Sequence, residues 1–413
     1  MNRRIGVVSL CSFVITRFVF CMYHIHGLGI ECRWECEIMN DSDWRLPFPC
    51  NQASSKKRIR KIYYLRDGIQ LERCLNNLRR LGVRPIRYLS HLGMVIGEYQ
   101  APVVPTESVP DVAYTEPDIR LTITEPYVGT MLSVKEQNLP WGVQMIEAPK
   151  VWSISQGRGV KVAVIDTGIS ADHPAIKDNY RGGVNILSPY FAPQDYNGHG
   201  THVAGIIAGN GAGLGIIGTA PKTEVYAVKA FNRKGSANLS DLLSAINWCI
   251  ENGMQVINMS FGMEKLSESL RQAIQIAHRR GIVMVAATGN RGLPSSIDFP
   301  ARYPETIAVA SVSREGVLSR FSNMGKGVDL AAPGERIPSA WLNGAKREMS
   351  GTSMAVPHVS GTIALLLQLN PHLNPEQIRY ILLQSALKTS RLERVSVLNS
   401  YQAVEFYRRF WNR

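Results

Sequence analysis

The sequence predicts an α/β protein with a mostly parallel central sheet covered by helices on both faces, preceded by a smaller α+β unit. Three observations predict it. From about residue 138, short runs of β-branched and small apolar residues alternate with longer segments of helical period. Those runs show no polar alternation, as strands buried on both faces require. Over residues 58–124 shorter apolar runs surround a single amphipathic stretch, which reads as a small separate unit.

In chain order, residues 1–55 form an irregular segment. Arg3 and Arg4 precede an apolar stretch at 5–15, as in a secretory leader, but Arg17 interrupts it and no small-x-small cleavage site follows. Secretion is one expectation. Translation from Met39 and a cytoplasmic place is the other. No apolar run reaches membrane-spanning length, so membrane insertion is not expected. Residues 59–65 read as a strand, and 68–81 as a helix with Ile69, Leu71, Leu75 and Leu78 on its apolar side. Apolar runs follow at 86–88 and 94–99, and another strand begins at Val112. Pro102, Pro105 and Pro110 argue against a helix between them. Residues 56–124 are thus one domain, and residues 125–137 read as a linker.

The large domain, 138–413, reads as strands at 160–165, 225–229, 256–259 and 282–287. Helices are expected at 201–208, 239–252, 266–280, 353–369 and 375–385. The last has a strong start: Asn374 as N-cap, Pro375 at the first helical position and Glu376 in the first turn. The net charge of +13 includes one dense basic run, Lys56 to Lys61. That run has no interleaved aromatics and no nucleic-acid-binding motif, so it reads as a solvated segment and no nucleic-acid partner is expected. Cys32 and Cys36 lack a second pair to complete a zinc site, and Cys249, beside Trp248, reads as a buried small hydrophobe.

Three short segments carry polar residues that a core does not need. VAVIDTG ends a buried strand in Asp166. NGHGTHVAG sets His199 between glycines at the start of a helix, and SGTSMAVPHVSG puts Ser353 at a turn into another. A serine needs a base to become a nucleophile, and an imidazole needs a carboxylate to fix its tautomer. A strand end and two helix starts of one α/β sheet can converge at its carboxyl edge.

These segments, in this order, resemble the three signatures of the subtilase family of serine endopeptidases. The resemblance runs from about Leu139 to Ala403. It implies a three-layer α/β/α subtilisin-like fold and a catalytic triad of Asp166, His199 and Ser353. VMVAATGN resembles the family's oxyanion strand, which makes Asn290 a side-chain donor beside the Ser353 backbone N–H. Substrate backbone would pair with Ser260-Phe261-Gly262 on one side and Gly235-Ser236-Ala237 on the other, as an added strand. Phe231, Leu239 and Phe261 would line an apolar P4 pocket. Asp298 falls near the expected floor of the P1 pocket, which implies tolerance for Lys or Arg at P1. Residues 58–124 resemble the family's inhibitory propeptide, with VAYTEPD at 112–118 as the best match and cleavage near Thr124-Glu125. The expected partners are protein or peptide substrates and the chain's own propeptide, the protein acting as a monomer. No cofactor is expected for the chemistry.

Gly213 to Gly218 matches GxGxxG, but it follows a helix and precedes a strand, the wrong context for a dinucleotide. In the family this loop can wrap calcium. Here Ala175 and Ala212 replace side-chain oxygens, leaving Gln137 and the carbonyls of Asn210, Leu214 and Ile216. Ca²⁺ takes six to eight oxygens, so strong binding is not expected. The Asn258 sequon lies on a buried strand and is not expected to carry sugar. A lipase-like hydrolase would need G-x-S-x-G and the serine first in the chain; here Gly351-Thr352-Ser353-Met354-Ala355 comes last. A binding module that has lost catalysis would lack a member of the site, and all four are present.

Overall fold

The computed structural model describes residues 58–66, 68–101, 111–123, 127–132, 139–388, 392 and 395–411. All lie in one compact unit, Lys56–Arg413. The leader and Met39 start, the Thr124-Glu125 bond and Gln137 lie outside the described residues.

The chain begins with β1 (Arg58–Leu65), α1 (Leu71–Arg80), β2 (Arg84–Leu89), β3 (Met94–Gln100) and β4 (Val112–Pro117). The strands form an antiparallel sheet in the order β2-β3-β1-β4. Strand alternation splits its side chains between two faces. Tyr63, Leu65 and Val95 pack with Cys74 and Leu78 of α1, whereas Ile62, Met94 and Ile96 join the core of the large domain. Residues 125–137, expected as a linker, contain a strand instead. After β5 (Arg120–Thr122), β6 (Tyr127–Leu132) pairs with a strand of the large domain.

The large domain opens with α2 (Trp141–Met145), β7 (Lys161–Asp166), β8 (Tyr180–Asn185), α3 (His199–Ala208) and a short α4 (Ala212–Gly215). Next come β9 (Glu224–Lys229), β10 (Ser236–Asn238), α5 (Leu239–Glu251), β11 (Val256–Met259) and α6 (Glu268–Arg279). The strands β12 (Val283–Ala287), β13 (Thr306–Val312), β14 (Leu330–Pro333), β15 (Ile337–Ala340) and β16 (Lys346–Ser350) follow. Three helices finish it: α7 (Thr352–Leu369), α8 (Pro375–Ser385) and α9 (Ser400–Phe410).

Seven strands form the central sheet in the order β14-β13-β12-β11-β7-β9-β8, and every pairing is parallel. Val162 and Val164 face a core built with α3 and α7, while Ala163 and Ile165 face one built with α5 and α6. That is why these runs are apolar at every position. The chain leaves β7 for β8 and β9 on one side, then crosses to β11 on the other. The carboxyl ends of β7 and β11 therefore border the crevice where such sheets bind ligands. The helix α7 is apolar because it is enclosed by the sheet and α3; it is 89% buried.

Differences at element ends have local causes. The helix expected from 266 starts at Glu268, because the Ser267 hydroxyl caps it by accepting Leu270 N–H at 3.0 Å. The domain does not close with α8: α9 follows and packs on α7 and α8.

Candidate active site

Asp166 ends β7, fully buried, and its Oδ1 accepts the Thr167 amide at 2.7 Å. His199 opens α3, and its Nδ1 lies 2.8 and 2.9 Å from the two Asp166 carboxylate oxygens. A ring nitrogen facing two acceptors carries the proton, so Nε2 is the basic nitrogen. The preceding Gly198 has φ of 105°, and a Cβ there would stand 2.5 Å from the Trp341 ring. The buried Asp195 carboxylate accepts the amides of Asn197, Gly198 and Thr201 at 2.8–3.0 Å, fixing the turn that presents the imidazole. Asp195 stands three residues before the cap position Gly198, so no N-cap spacing marks it in the sequence. Lys229, opposite Asp166 in the sheet, donates to Thr167 O. Burial pushes its pKa down, and the charges of Asp195 and Asp166 oppose that shift.

Ser353 is the second residue of α7. Pro357, four residues on, has no N–H to give the Ser353 carbonyl. Ser260 Oγ donates to that carbonyl instead at 2.9 Å, and Ser353 Oγ donates back to Ser260 O at 3.0 Å. The nucleophile candidate is thereby tied to the segment expected to bind substrate. Asn290 is held through its oxygen: Thr352 N–H and Oγ–H both donate to Oδ1 at 2.8 Å. This fixes Oδ1 as the accepting end of the amide and Nδ2 as its donor end.

The expected substrate edge is occupied by the chain itself. β5 pairs antiparallel with β10, Thr122 opposite Ser236 and Leu121 opposite Ala237, and Ile123 N–H donates to Gly235 O at 2.8 Å. Leu121 joins the apolar cluster of Phe231, Leu239 and Phe261, in which the two Phe rings are 5.1 Å apart. Asp298 abuts the backbone of Gly262 and Gly289. Its Oδ1 accepts Arg291 Nη2 at 2.5 Å, and Arg291 also pairs with Glu264. Burial pushes the Asp298 carboxyl up, and Arg291 opposes that shift. Arg291 follows Asn290 directly, yet nothing in the sequence pairs it with a residue seven positions on.

In the 210–218 loop, Asn210 Nδ2 donates to Asp178 at 2.8 Å and its Oδ1 accepts Ala212 N–H at 2.9 Å. Ala175 and Ala212 beside it carry no side-chain oxygen. Among the described residues no group of three or more His, Cys, Asp or Glu is placed to hold a metal. Cys74 and Cys249 are buried free thiols.

Asp166 and His199 form a buried acid–imidazole pair where a parallel strand ends, and Ser353 opens the helix α7, which packs on α3; these are elements from which a nucleophilic-serine hydrolase is built. Residues 157–403 match the subtilase family. The chain is 41% identical over 271 residues to M-protease of Shouchella clausii (strain KSM-K16), covering 65% of this chain and 67% of that one. It is 43% identical over 244 residues to Subtilisin Savinase of Lederbergia lenta, covering 59% and 89%. A solved cold adapted subtilisin-like serine proteinase matches with a TM-score of 0.56 and 36% identity, over 60% of this chain and 90% of that chain. The chain belongs to the subtilase family. It is a subtilisin-type serine endopeptidase, and peptides or proteins are its substrates.

Proposed function

We propose that hydrolysis runs through Asp166, His199 and Ser353, with Asn290 Nδ2 and the Ser353 amide as oxyanion donors. The Asp166–His199 pair, with Nδ1 2.8 and 2.9 Å from the carboxylate, carries this proposal. Ser353 Oγ leaves Ser260 O when the substrate amide takes that acceptor, gives its proton to His199 Nε2 and attacks the scissile carbonyl. His199 then returns the proton to the leaving amine, and water repeats the cycle on the acyl-enzyme. The oxyanion forms between two donors already held in place, one at the start of α7 and one clamped by Thr352.

The β5–β10 pairing supports a zymogen in which residues 56–124 act as a self-cleaved propeptide, with Leu121 in the P4 pocket and Thr124 at P1. A secreted place of action goes with this proposal, on family membership and the apolar stretch at 5–15. The loop at 210–218 holds its shape without calcium. Arg291 already neutralises Asp298, so a basic P1 side chain meets no free carboxylate. Arg291→Gln is expected to raise kcat/KM for P1-Lys over P1-Phe peptides about two- to fivefold, the order of one exposed charge pair.

The full chain and its Ser353→Ala form test the whole proposal. The parent is expected to shed its N-terminal part, cleave casein and react with a serine-directed phosphonate, while the variant does none of these. Identical trimming of both would remove self-processing. Casein cleavage by the variant would remove Ser353 as the nucleophile.

A further inference from the structure

β16 leads into Ser353, β10 is the strand edge expected to bind substrate, and the chain's own segments lie on both. On one side β5 sits on β10. On the other, β6 pairs antiparallel with β16, Tyr127 opposite Ser350, Val128 opposite Met349, Met131 opposite Arg347 and Leu132 opposite Lys346. β16 ends at Ser350, three residues before Ser353. The four-residue step from Ile123 to Tyr127 spans at most about 14 Å, so the two edges lie within that reach of each other. The chain runs in the direction that puts residues before the crevice on β10 and residues after it on β16.

We propose that the β16 edge is a binding strand for substrate residues C-terminal to the scissile bond, reaching well beyond the third of them, with Arg347 as its clamp. This rests on Ser353 as the nucleophile. The ligand is an extended, unfolded polypeptide. Arg347 Nε donates to Gly129 O at 2.7 Å, and its guanidinium lies 4.7 Å over the Trp341 ring, which also packs on Gly198 beside His199. The clamp therefore reads a backbone carbonyl and is braced by the same indole that lines the histidine turn. Tyr127, Val128 and Met131 are exposed, so affinity on this edge comes from main-chain bonds and not from side-chain pockets. One position is different. Three steps of β6, Val128 to Met131, match two steps of β16, and a Cβ on Gly129 would stand 3.1 Å from Glu348 O. Glycine is favoured there, the fifth residue after a Thr124-Glu125 cleavage. Left bare, the β16 edge would be an unpaired strand beside the active site, a template for the next extended chain to arrive.

Internally quenched peptides with a fixed acyl side and two, four, six or eight residues after the scissile bond test this on enzyme matured from the full chain. From two to eight residues kcat/KM is expected to rise about tenfold, through KM, as main-chain bonds are added. Alanine at the fifth position should remove part of the rise. Arg347→Met should flatten the length dependence, the loss appearing in KM for the eight-residue peptide and not in kcat, which a merely structural role would not produce. Should that variant fail to fold, the length series on the parent enzyme still decides. A flat series with ready cleavage would overturn the proposal, whether the edge ignores substrate or the chain's own strand keeps it. Absence of cleavage and of phosphonate labelling together would instead overturn Ser353 as nucleophile.

Discussion

The N-terminal unit and the catalytic body solve the burial problem differently. The body covers both faces of its parallel sheet with its own helices, so its strands are buried between elements of the same domain. The N-terminal unit has one helix for two faces. α1 covers Tyr63, Leu65 and Val95, and the opposite face packs Ile62, Met94 and Ile96 against the body's own cluster. Polar contacts repeat this division. Asp118 accepts Ser240 N–H at the start of α5, and Glu116 accepts Ser269 N–H at the start of α6, both at 2.8 Å. Each carboxylate meets the orphan amides and positive end of a helix dipole. Arg87 adds bonds to Ser244 Oγ and Ile186 O. A small unit with half a core of its own is stable by docking, and the body lends it the other half.

The largest expected effect separates chemistry from docking. Asn290→Leu should lower kcat about 10²–10³-fold with little change in KM, the range known for oxyanion donors of this family. Hydrogen exchange in the N-terminal unit should not change; an unchanged kcat would take Asn290 out of the mechanism. Ile96→Ala acts on the other side of the comparison. It should cost about 3 kcal/mol by leaving a cavity between the sheet and the body. Faster exchange confined to residues 58–122 would sharpen the contrast, and equal loss throughout would break it.

Acid should also act on the two regions in different windows. His202 and His358 are buried neutral in the body, pushed by burial from 6.5 to about 3 and about 4. The unfolded chain binds protons that the folded body refuses, so the body loses stability as pH falls from about 6.5 toward 4. In the N-terminal unit, burial raises the Glu98 carboxyl, but hydrogen bonds from Arg84 and Arg60 outweigh it and hold the pKa below 4.5. Its contribution is lost only as pH falls through the carboxylate range. Melting temperatures from pH 7 to 3 check this, and full stability of the body at pH 5 would contradict it. The smallest effect is Asp118→Ala, about 1 kcal/mol as for a lost helix cap. It should appear as faster exchange at the start of α5, with catalysis by the mature enzyme unchanged.

Several features were legible because their causes are local. Val162 to Ile165 announces a strand buried on both faces, and Asn374-Pro375 announces a helix start whose Asn374 Oδ1 indeed accepts Gln377 N–H at 2.9 Å. Other features were not. β8 carries Gly182 and Gly183, poor strand formers, and is held by pairing with β9. β6 read as a linker because the edge that orders it lies more than two hundred residues away. Of the two histidines in HGTH, the family resemblance singles out His199. Only the fold shows His199 on a carboxylate and His202 Nε2 bonded to the carbonyls of Ile337 and Arg347.

The sequence by itself determined the α/β class and, through its three signatures, the family, and it named the four residues of the proposed chemistry, because short-range periodicity and glycine placement are local. The tertiary structure alone decided how the residues around them are used. It pairs Asp298 with Arg291, ties Ser353 to Ser260, and lays the chain's own strands on both sides of the crevice. Ion pairs and parallel or edge pairings join residues far apart in the chain, and their free energy exists only once the sheet has brought them within about 3 Å of each other.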